Sequence, residues 1–208
     1  MNSSTRRFQI AGPAGAIEVL RDEPASGSVR GTAVIAHPHP LFAGTMDNKV
    51  VQTLARAFVQ SGWSAVRFNF RGVGASEGEH DEGRGEADDM RALIEAQAEH
   101  GPLAIAGFSF GSFVATRVID ALWSSRDIEK IVLVGTAASR FEVATLPPDA
   151  HDRTLVVHGE QDDTVPLAAV LDWARPQSLP VTVVPGGVHF FHGQLPLLKS
   201  LVLRHLRS

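Results

Sequence analysis

The chain of 208 residues contains no cysteine and no tyrosine. The absence of cysteine excludes disulfides, thiolate catalysis and any metal or cluster site that thiolates would hold. The absence of tyrosine removes a phenolic acid or base from the available chemistry. Any catalytic chemistry must therefore rest on other side chains.

The sequence also lacks a long apolar run and an excess of basic residues. No apolar segment approaches the roughly 20 residues that span a bilayer, which argues against a membrane protein. The 19 Lys and Arg residues against 23 Asp and Glu give a net charge of -4, whereas nucleic-acid-binding proteins usually carry a basic domain or stripe. The start, MNSSTRRFQI, has two arginines but no apolar stretch behind them, unlike a secretory signal. We expect a cytoplasmic protein that acts on a small molecule.

No linker rich in Pro, Ser or Gly divides the chain, and no charge run does so. Its length is sufficient for one sizeable core. We therefore expect residues 1–208 to form a single domain.

Short apolar runs rich in Val and Ile recur along the chain. They span residues 31–37, 64–70, 103–108, 130–135, 154–159 and 181–186. Such runs are typical of strands buried on both faces of a parallel sheet. Helical segments are predicted between them, at 48–60, 85–99, 109–123, 166–174 and 193–206. The alternation predicts an α/β fold with a mostly parallel, doubly wound sheet. The first 30 residues are predicted to form an antiparallel hairpin at one edge of this sheet. Only about 18 residues separate the strands near 134 and 154, too few for a lid.

The stretch IAGFSFGSF places Ser109 between Gly107 and Gly111 where a predicted strand ends and a helix begins. Side chains at the two glycine positions would collide with the adjoining strand or helix, so the glycines allow the hydroxyl to project into a cleft. The N–H of Phe110 would open the helix and face an oxyanion there. Because G-x-S-x-G is short, a turn serine without a catalytic role is the alternative for the motif alone.

A serine nucleophile requires a histidine base and a carboxylate that orients it, and both follow in the sequence. Asp162 comes after a buried strand in VVHGEQDDTVP, and its neighbour Asp163 is the competing candidate, which we expect to cap the next helix instead. His189 comes after the last strand in PGGVHFFHG, with His192 as the competitor at the start of the last helix. The candidate triad is Ser109, Asp162 and His189.

Over nearly its whole length the sequence resembles the α/β-hydrolase superfamily, in which nucleophile, acid and histidine occur in this order. The segment HGEQDDTVP resembles the region of the superfamily's acid, four residues before a proline. AHPHPLFAGTMDNKVV and FNFRGVGASEG resemble small bacterial hydrolases without a lid, similar to dienelactone hydrolases and simple carboxylesterases. Dienelactone hydrolases use a cysteine nucleophile, so their activity does not carry over to this chain.

The clearest departure from the superfamily is the segment that replaces its H-G-x motif. The last residue of that motif donates the second oxyanion-hole N–H, but this chain has His37-Pro38-His39-Pro40-Leu41. Proline has no N–H, so the resemblance implies His39 as donor, or Leu41 if the loop is longer. His37 and His39 could also be interpreted as metal ligands, but no further ligand occurs at suitable spacing.

These features predict a serine hydrolase that cleaves short to medium acyl esters through an acyl-enzyme and needs no cofactor or metal. Thioesterase or peptidase activity on the same triad is the alternative within enzymes, and a binding module without turnover is the alternative outside them. We expect residues 136–141 and those around Leu41 to form pocket walls. Arg71 could recognise a carboxylate on the substrate, but we expect it to pin its own loop through backbone carbonyls or an acidic partner. We expect residues 76–89 to form a solvated acidic loop leading into a helix.

Overall fold

The computed structural model describes residues 5–25 and 29–207. The strands are β1 Thr5–Gly12, β2 Gly15–Asp22, β3 Thr32–Ala36, β4 Ser64–Phe68, β5 Leu103–Phe108, β6 Ile128–Val134, β7 Thr154–Gly159 and β8 Val181–Val184. The α-helices are α1 Lys49–Gln60, α2 Arg84–Gln97, α3 Phe110–Leu122, α4 Leu167–Ala174 and α5 Leu195–Arg207. Within the described residues, none of these helices has the length and apolarity needed to cross a bilayer.

All eight strands form one sheet in the order β1-β2-β4-β3-β5-β6-β7-β8. The pairs β1–β2 and β2–β4 are antiparallel, and the pairs from β4 through β8 are parallel. The predicted α/β fold, a mostly parallel doubly wound sheet with an antiparallel hairpin at its edge, is therefore confirmed.

Helices cover both faces of the sheet because the central strands are apolar on both sides. In β3, Val34 packs toward the layer of α2, α3 and α4, whereas Ala33 and Ile35 pack toward the layer of α1 and α5. This alternation follows from the two-residue period of a strand. Parallel strands that are buried on both faces direct all their carboxyl ends to one edge, where the connecting loops gather.

Buried charges join the hairpin to the rest of the sheet, in a region that we call the hairpin junction (Glu18, Asp22, Arg67 and Asn69). The Arg67 guanidinium donates to Asp22 Oδ2 at 2.9 and 3.2 Å and to the Met46 carbonyl at 2.9 Å. Glu18 Oε2 accepts from Asn69 Nδ2 at 2.7 Å and from the backbone N–H of Ala75 at 2.9 Å.

These contacts determine the protonation state of Glu18. Burial would raise the pKa of the carboxyl, but the hydrogen bonds from the Ala75 N–H and from Asn69, together with the charge and hydrogen bond of Arg7, outweigh it and lower the pKa. The carboxylate therefore stays ionised beside its donors.

The segment 76–89 departs from the solvated loop that its composition predicts. Glu86 and Asp89 are buried. Glu86 accepts hydrogen bonds from the backbone N–H groups of Asp81 and Gly83 at the start of α2, and both carboxylate oxygens of Asp89 accept from Arg71 at 2.8 Å. The acidic partner expected for Arg71 is thus confirmed, whereas the expectation of a fully solvated segment is wrong, because two of its carboxylates bind donors inside the fold.

Candidate active site

Ser109 occupies the turn between β5 and α3 with φ 56° and ψ -116°, a conformation that residues with a Cβ rarely adopt. A Cβ at Gly107 would lie 2.4 Å from the backbone of Gly111, and a Cβ at Gly111 would lie 2.4 Å from the Ala36 carbonyl oxygen of β3. Both contacts are far inside van der Waals distance. The steric reason predicted for the two glycines is confirmed.

Hydrogen bonds to the neighbouring strand fix this turn. The Ser109 N–H donates to the Val134 carbonyl of β6 at 2.8 Å. The fully buried Ser112 hydroxyl lies 2.7 Å from the Gly107 carbonyl and accepts from the Val134 N–H at 3.1 Å. The serine is therefore held on a rigid part of the sheet, at the carboxyl end of β5.

Three side chains that are distant in sequence meet at this edge. His189 Nε2 lies 3.0 Å from Ser109 Oγ, and His189 Nδ1 lies 2.7 Å from Asp162 Oδ2. All three residues are buried, at 7%, 3% and 6% exposure for Ser109, His189 and Asp162. Since an ionised carboxylate only accepts, Nδ1 carries the proton, and Nε2 is left to accept from the serine hydroxyl.

The loop after β7 keeps Asp162 ionised and oriented. Its Oδ1 accepts from the backbone N–H groups of Thr164 at 3.0 Å and Val165 at 2.7 Å, which leaves Oδ2 for the imidazole of His189. Burial would raise the pKa of this carboxyl, but the hydrogen bonds from His189 and the Val165 N–H more than compensate and lower the pKa.

A second histidine lies beneath this carboxylate. His158 is fully buried, its Nε2 donates to the Val165 carbonyl at 2.8 Å, and the same nitrogen lies 3.5 Å from Asp162 Oδ2. Burial lowers the pKa of His158, so this ring is neutral and braces the loop.

The loop after β8 positions the His189 ring above the sheet. The ring packs against Phe108 with 4.9 Å between centroids. Gly135 lies so close to the ring that a larger residue would not fit there without a shift. A Cβ at Gly135 would lie 3.2 Å from His189 Cε1. The absence of a side chain there lets the imidazole reach Ser109.

The two competing candidates lie outside this arrangement. Asp163 is exposed, and among the described residues its carboxylate accepts a hydrogen bond from the hydroxyl of Thr164 alone, at 3.3 Å. The helix α4 begins after Pro166 without a side-chain cap, so the expectation that Asp163 caps it is wrong. His192 is exposed and contacts the ring of Phe190.

The loop after β3 contributes backbone groups to the same edge. Within the described part of the chain, the N–H groups of Phe110 and His39 have no hydrogen-bond acceptor. The N–H of Leu41 donates to His39 Nδ1 at 3.2 Å, and Leu41 is 70% exposed. The Leu41 N–H is therefore already bound within its own loop, whereas those of Phe110 and His39 are available to a ligand.

His37 anchors this loop from below. Its Nδ1 donates to the Pro38 carbonyl at 2.6 Å and its Nε2 accepts from the Phe70 N–H at 3.0 Å. Burial lowers the pKa of His37 to about 4, so the ring is neutral near pH 7. Because the backbone occupies both nitrogens, neither is available to a metal ion.

A cavity of about 300 Å³ opens at Ser109 and His189. Aromatic rings form much of its wall, contributed by His39, Phe42, Phe110, Phe141 and Phe190. Of the expected wall segments, 136–141 contributes Ala137, Arg140 and Phe141, and the loop near Leu41 contributes Phe42 and its neighbours but not Leu41.

A larger cavity, of about 650 Å³, lies beside the hairpin junction. Its polar wall includes Asp22, Asp47 and Arg67, and Arg67 forms ion pairs with both carboxylates. It contains none of the residues that meet at Ser109, so the smaller cavity is the candidate active site.

Sequence reasoning placed Arg140 within the expected wall segment 136–141 but gave it no role of its own, and it did not single out His158. His158 belongs to the run TLVVHG that predicts β7, and the strand period gives no sign that its ring lies beneath Asp162.

A protein family and several solved structures are similar to this chain. Residues 43–142 match the family model described as serine aminopeptidase, S33. A structure of a Xanthomonas campestris α/β serine hydrolase without a lid is 34% identical, with 100% of this chain and 95% of that chain covered and a TM-score of 0.88. A structure of an α/β serine hydrolase homologue from Coxiella burnetii is 37% identical, with 97% of each chain covered and a TM-score of 0.82.

One curated relative also matches, an uncharacterized protein of Rickettsia prowazekii that is 40% identical over 112 residues. The match covers 52% of this chain and spans 47% of that protein, about half its length. The two solved structures, in contrast, match end to end. Their identity and coverage show that the chain belongs to the α/β-hydrolase superfamily, among its serine hydrolases without a lid.

Proposed function

We propose that this α/β serine hydrolase is a carboxylesterase that cleaves small esters with short to medium acyl groups through a Ser109–His189–Asp162 triad. The observation that carries the proposal is the pair of hydrogen bonds, of 3.0 and 2.7 Å, that joins hydroxyl, imidazole and carboxylate in series. A serine, a base and an orienting carboxylate in this geometry form the machinery of acyl transfer.

In the first half-reaction His189 Nε2 removes the hydroxyl proton while Ser109 Oγ bonds to the ester carbonyl carbon. The resulting imidazolium is stabilised by Asp162, which accepts from Nδ1. The tetrahedral intermediate then collapses, the bond to the alcohol oxygen breaks, and His189 returns the proton to the leaving alcohol. The product is an acyl ester of Ser109.

Water resolves the acyl-enzyme in the second half-reaction. His189 takes a proton from water, whose oxygen attacks the acyl carbon, and the proton passes to Ser109 Oγ as the serine leaves. The carboxylic acid departs and the enzyme is restored without any external oxidant or reductant.

The developing negative charge on the carbonyl oxygen requires donors that already point at the cavity. We assign this role to the N–H groups of Phe110 and His39, which have no acceptor within residues 5–25 and 29–207. Phe110 is the first residue of α3, so its N–H also lies at the positive end of the helix dipole. The engaged N–H of Leu41 supports His39 as the second donor.

The size of the cavity sets the expected acyl length. The cavity volume of about 300 Å³ lies at the lower end of the usual range for ligand pockets. Such a volume suits short and medium acyl chains. We expect p-nitrophenyl butyrate to be hydrolysed faster than the palmitate. Faster turnover of the palmitate would contradict this size limit without contradicting the triad.

The charges around the cavity favour esters over the alternative substrates. An aminopeptidase would need a carboxylate to bind the free ammonium of its substrate, yet none of the described residues that line the cavity is acidic. A thioesterase for coenzyme A would need several basic groups for the phosphates, and Arg140 is the sole lysine or arginine among those lining residues. The formed triad geometry disfavours a binding module without turnover.

Labelling with a fluorophosphonate probe, followed by mass-spectrometric mapping, tests the proposal directly. We expect the label on Ser109, its loss in Ser109→Ala, and full labelling in Ser125→Ala, which removes an exposed hydroxyl at the far end of α3. A folded protein that remains unlabelled, or that carries the label elsewhere, would contradict the assignment of the nucleophile.

A further inference from the structure

Arg140 brings a permanent positive charge to the wall of the candidate active site. No lysine, other arginine or carboxylate is found among the described residues lining this cavity. The rings of Phe42, which the guanidinium of Arg140 contacts, and of Phe141, the next residue in the chain, line the same cavity. An electrically positive, apolar site is thus formed in a protein whose net charge is -4.

The guanidinium of Arg140 has no partner that uses its hydrogen-bond donors. Within the described residues it makes no hydrogen bond and no ion pair, and its recorded contact is with the face of Phe42, at 5.9 Å from the ring centroid. Arg67 and Arg71, by contrast, bind carboxylates of their own chain. Stacking on a ring leaves the planar N–H edge of an arginine free to bind an anion.

The backbone of Arg140 is held in place although its side chain is exposed. Its N–H donates to the Ala137 carbonyl at 3.2 Å. The next residue, Phe141, stacks on Phe113 with 4.6 Å between centroids and also contacts the ring of Phe110 at 5.2 Å. Since Phe110 directly follows Ser109, the first turn of α3 fixes the position of Arg140 relative to the nucleophile.

The charge of Arg140 also reaches the loop that bears the second proposed oxyanion donor. The pKa of His39 is lowered mainly by burial and by His80, and Arg140 adds to this effect while Glu86 opposes it. His39 therefore lies in the positive field of Arg140.

We propose that Arg140 binds a carboxylate carried by the substrate itself, so that the preferred substrates are esters with a free carboxylate at the far end of the acyl or the alcohol part. The inference rests on the proposed esterase function and adds the substrate class. Arginine binds carboxylate through two parallel charge-assisted hydrogen bonds, and the aromatic wall contacts the apolar chain between ester and carboxylate.

Two pairs of matched esters test the inference. Monoethyl adipate against ethyl hexanoate adds a carboxylate to the acyl end, and 6-acetoxyhexanoate against hexyl acetate adds one to the alcohol end. Acid release is followed in a pH-stat, and the ratio of kcat/KM for the charged and neutral member of each pair is compared between wild type, Arg140→Gln and Arg140→Lys. Arg117→Gln is the matched control, because Arg117 is an exposed arginine stacked on Phe113 outside the cavity.

We expect Arg140→Gln to lower the charged-to-neutral ratio of one pair by about 5- to 30-fold, the range that one partly exposed charge-assisted hydrogen bond supports. Arg140→Lys should lower it less, and Arg117→Gln should leave it unchanged. The wild-type ratio should fall as salt is added, because salt screens an exposed pair. A folded Arg140→Gln variant with wild-type ratios for both pairs would overturn the inference.

A binding measurement separates this inference from the proposed function. Calorimetric titration of monoethyl adipate and of 6-acetoxyhexanoate into Ser109→Ala, with and without Arg140→Gln, reports recognition without turnover. Weaker binding of one ester in the double variant supports the carboxylate site even if the esterase assignment fails. Equal binding of both esters to the two variants rejects it even if ester hydrolysis by Ser109 is established.

Discussion

Two of the regions that hold buried polar and charged groups, the hairpin junction and the candidate active site, arrange these groups differently. At the junction Arg67 binds Asp22 and the Met46 carbonyl, and Glu18 accepts from Asn69 and the Ala75 N–H. The donors and acceptors named there bind one another within the protein. Such an arrangement stabilises a strand pairing but offers little to a ligand.

At the active site the polar groups form an open series. Asp162 is saturated by backbone donors and His189, but the series ends at Ser109 Oγ, which faces the cavity. The N–H groups of Phe110 and His39 also have no acceptor within the described chain. Burial and charge are common to both regions. What distinguishes the candidate active site from the hairpin junction is that some of its polar groups lack a hydrogen-bond partner within the described chain.

The largest expected effect on kcat comes from removing the Ser109 hydroxyl, at which the series ends. Ser109→Ala should lower kcat for p-nitrophenyl butyrate by about 10⁶-fold, the loss seen when a triad nucleophile is removed. Residual activity within tenfold of wild type, after purification from a host without esterase background, would remove Ser109 from the mechanism.

The next effect compares two adjacent aspartates. Asp162→Asn should lower kcat by about 10⁴-fold, because an amide in place of the carboxylate favours the wrong imidazole tautomer. Asp163→Asn is the matched control and should leave kcat close to wild type, since its carboxylate is exposed and contacts only a hydroxyl. Equal kcat values for the two variants would show that Asp162 does not orient His189.

A change at the hairpin junction should lower stability and leave kcat unchanged. Arg67→Met should lower the free energy of unfolding by about 3 kcal/mol, since it leaves the carboxylate of Asp22 without its main partner. Urea denaturation measures this loss, and kcat at a temperature where the variant is folded should match wild type. A large loss of kcat in the folded variant would mean that the two regions are not independent.

The last effect concerns the pH dependence of stability and His37. The folded pKa of about 4 lies below the unfolded value near 6.5, so the unfolded chain binds the extra proton first. Stability should therefore fall as pH drops from about 6.5 to 4, by about 3 kcal/mol from this residue, and remain level for it below that range.

His37→Gln removes this titration and should make the loss of stability with falling pH shallower. His205 keeps a part of the slope in the variant, because burial also lowers its pKa to about 4. Urea unfolding at several pH values compares the two proteins. An unchanged slope in the folded variant would mean that His37 takes no part in acid unfolding.

Much of the fold could be predicted from sequence because its signals are local. The apolar runs that became β3 to β7 are buried on both faces or nearly so, whereas the edge strand β8 is only partly buried. The glycines at 107 and 111 act through contacts with the adjoining strand and helix that the turn itself requires. The order of Ser109, Asp162 and His189 was likewise informative, because each follows a strand whose carboxyl end lies at the same edge of the sheet.

The rest depends on contacts between distant segments. Glu86 and Asp89 were expected in solvent because their neighbours are acidic, yet loop N–H groups and Arg71 bind them inside the fold. Asp163 was expected as a helix cap, but α4 begins after Pro166 without a side-chain cap. Arg140 lies in a segment expected at the pocket wall, but the packing of Phe141 on α3, which holds it there, is a contact that no local pattern indicates.

The backbone angles of Ser109 have a consequence for how the sequence can change. Holding a residue with a Cβ in such a conformation costs about 1–3 kcal/mol, which a glycine would largely avoid. The most stable residue at position 109 is thus one that carries no hydroxyl. Laboratory selection for heat resistance alone would drift away from serine here, so retention of Ser109 in a thermostable variant reports selection for chemistry.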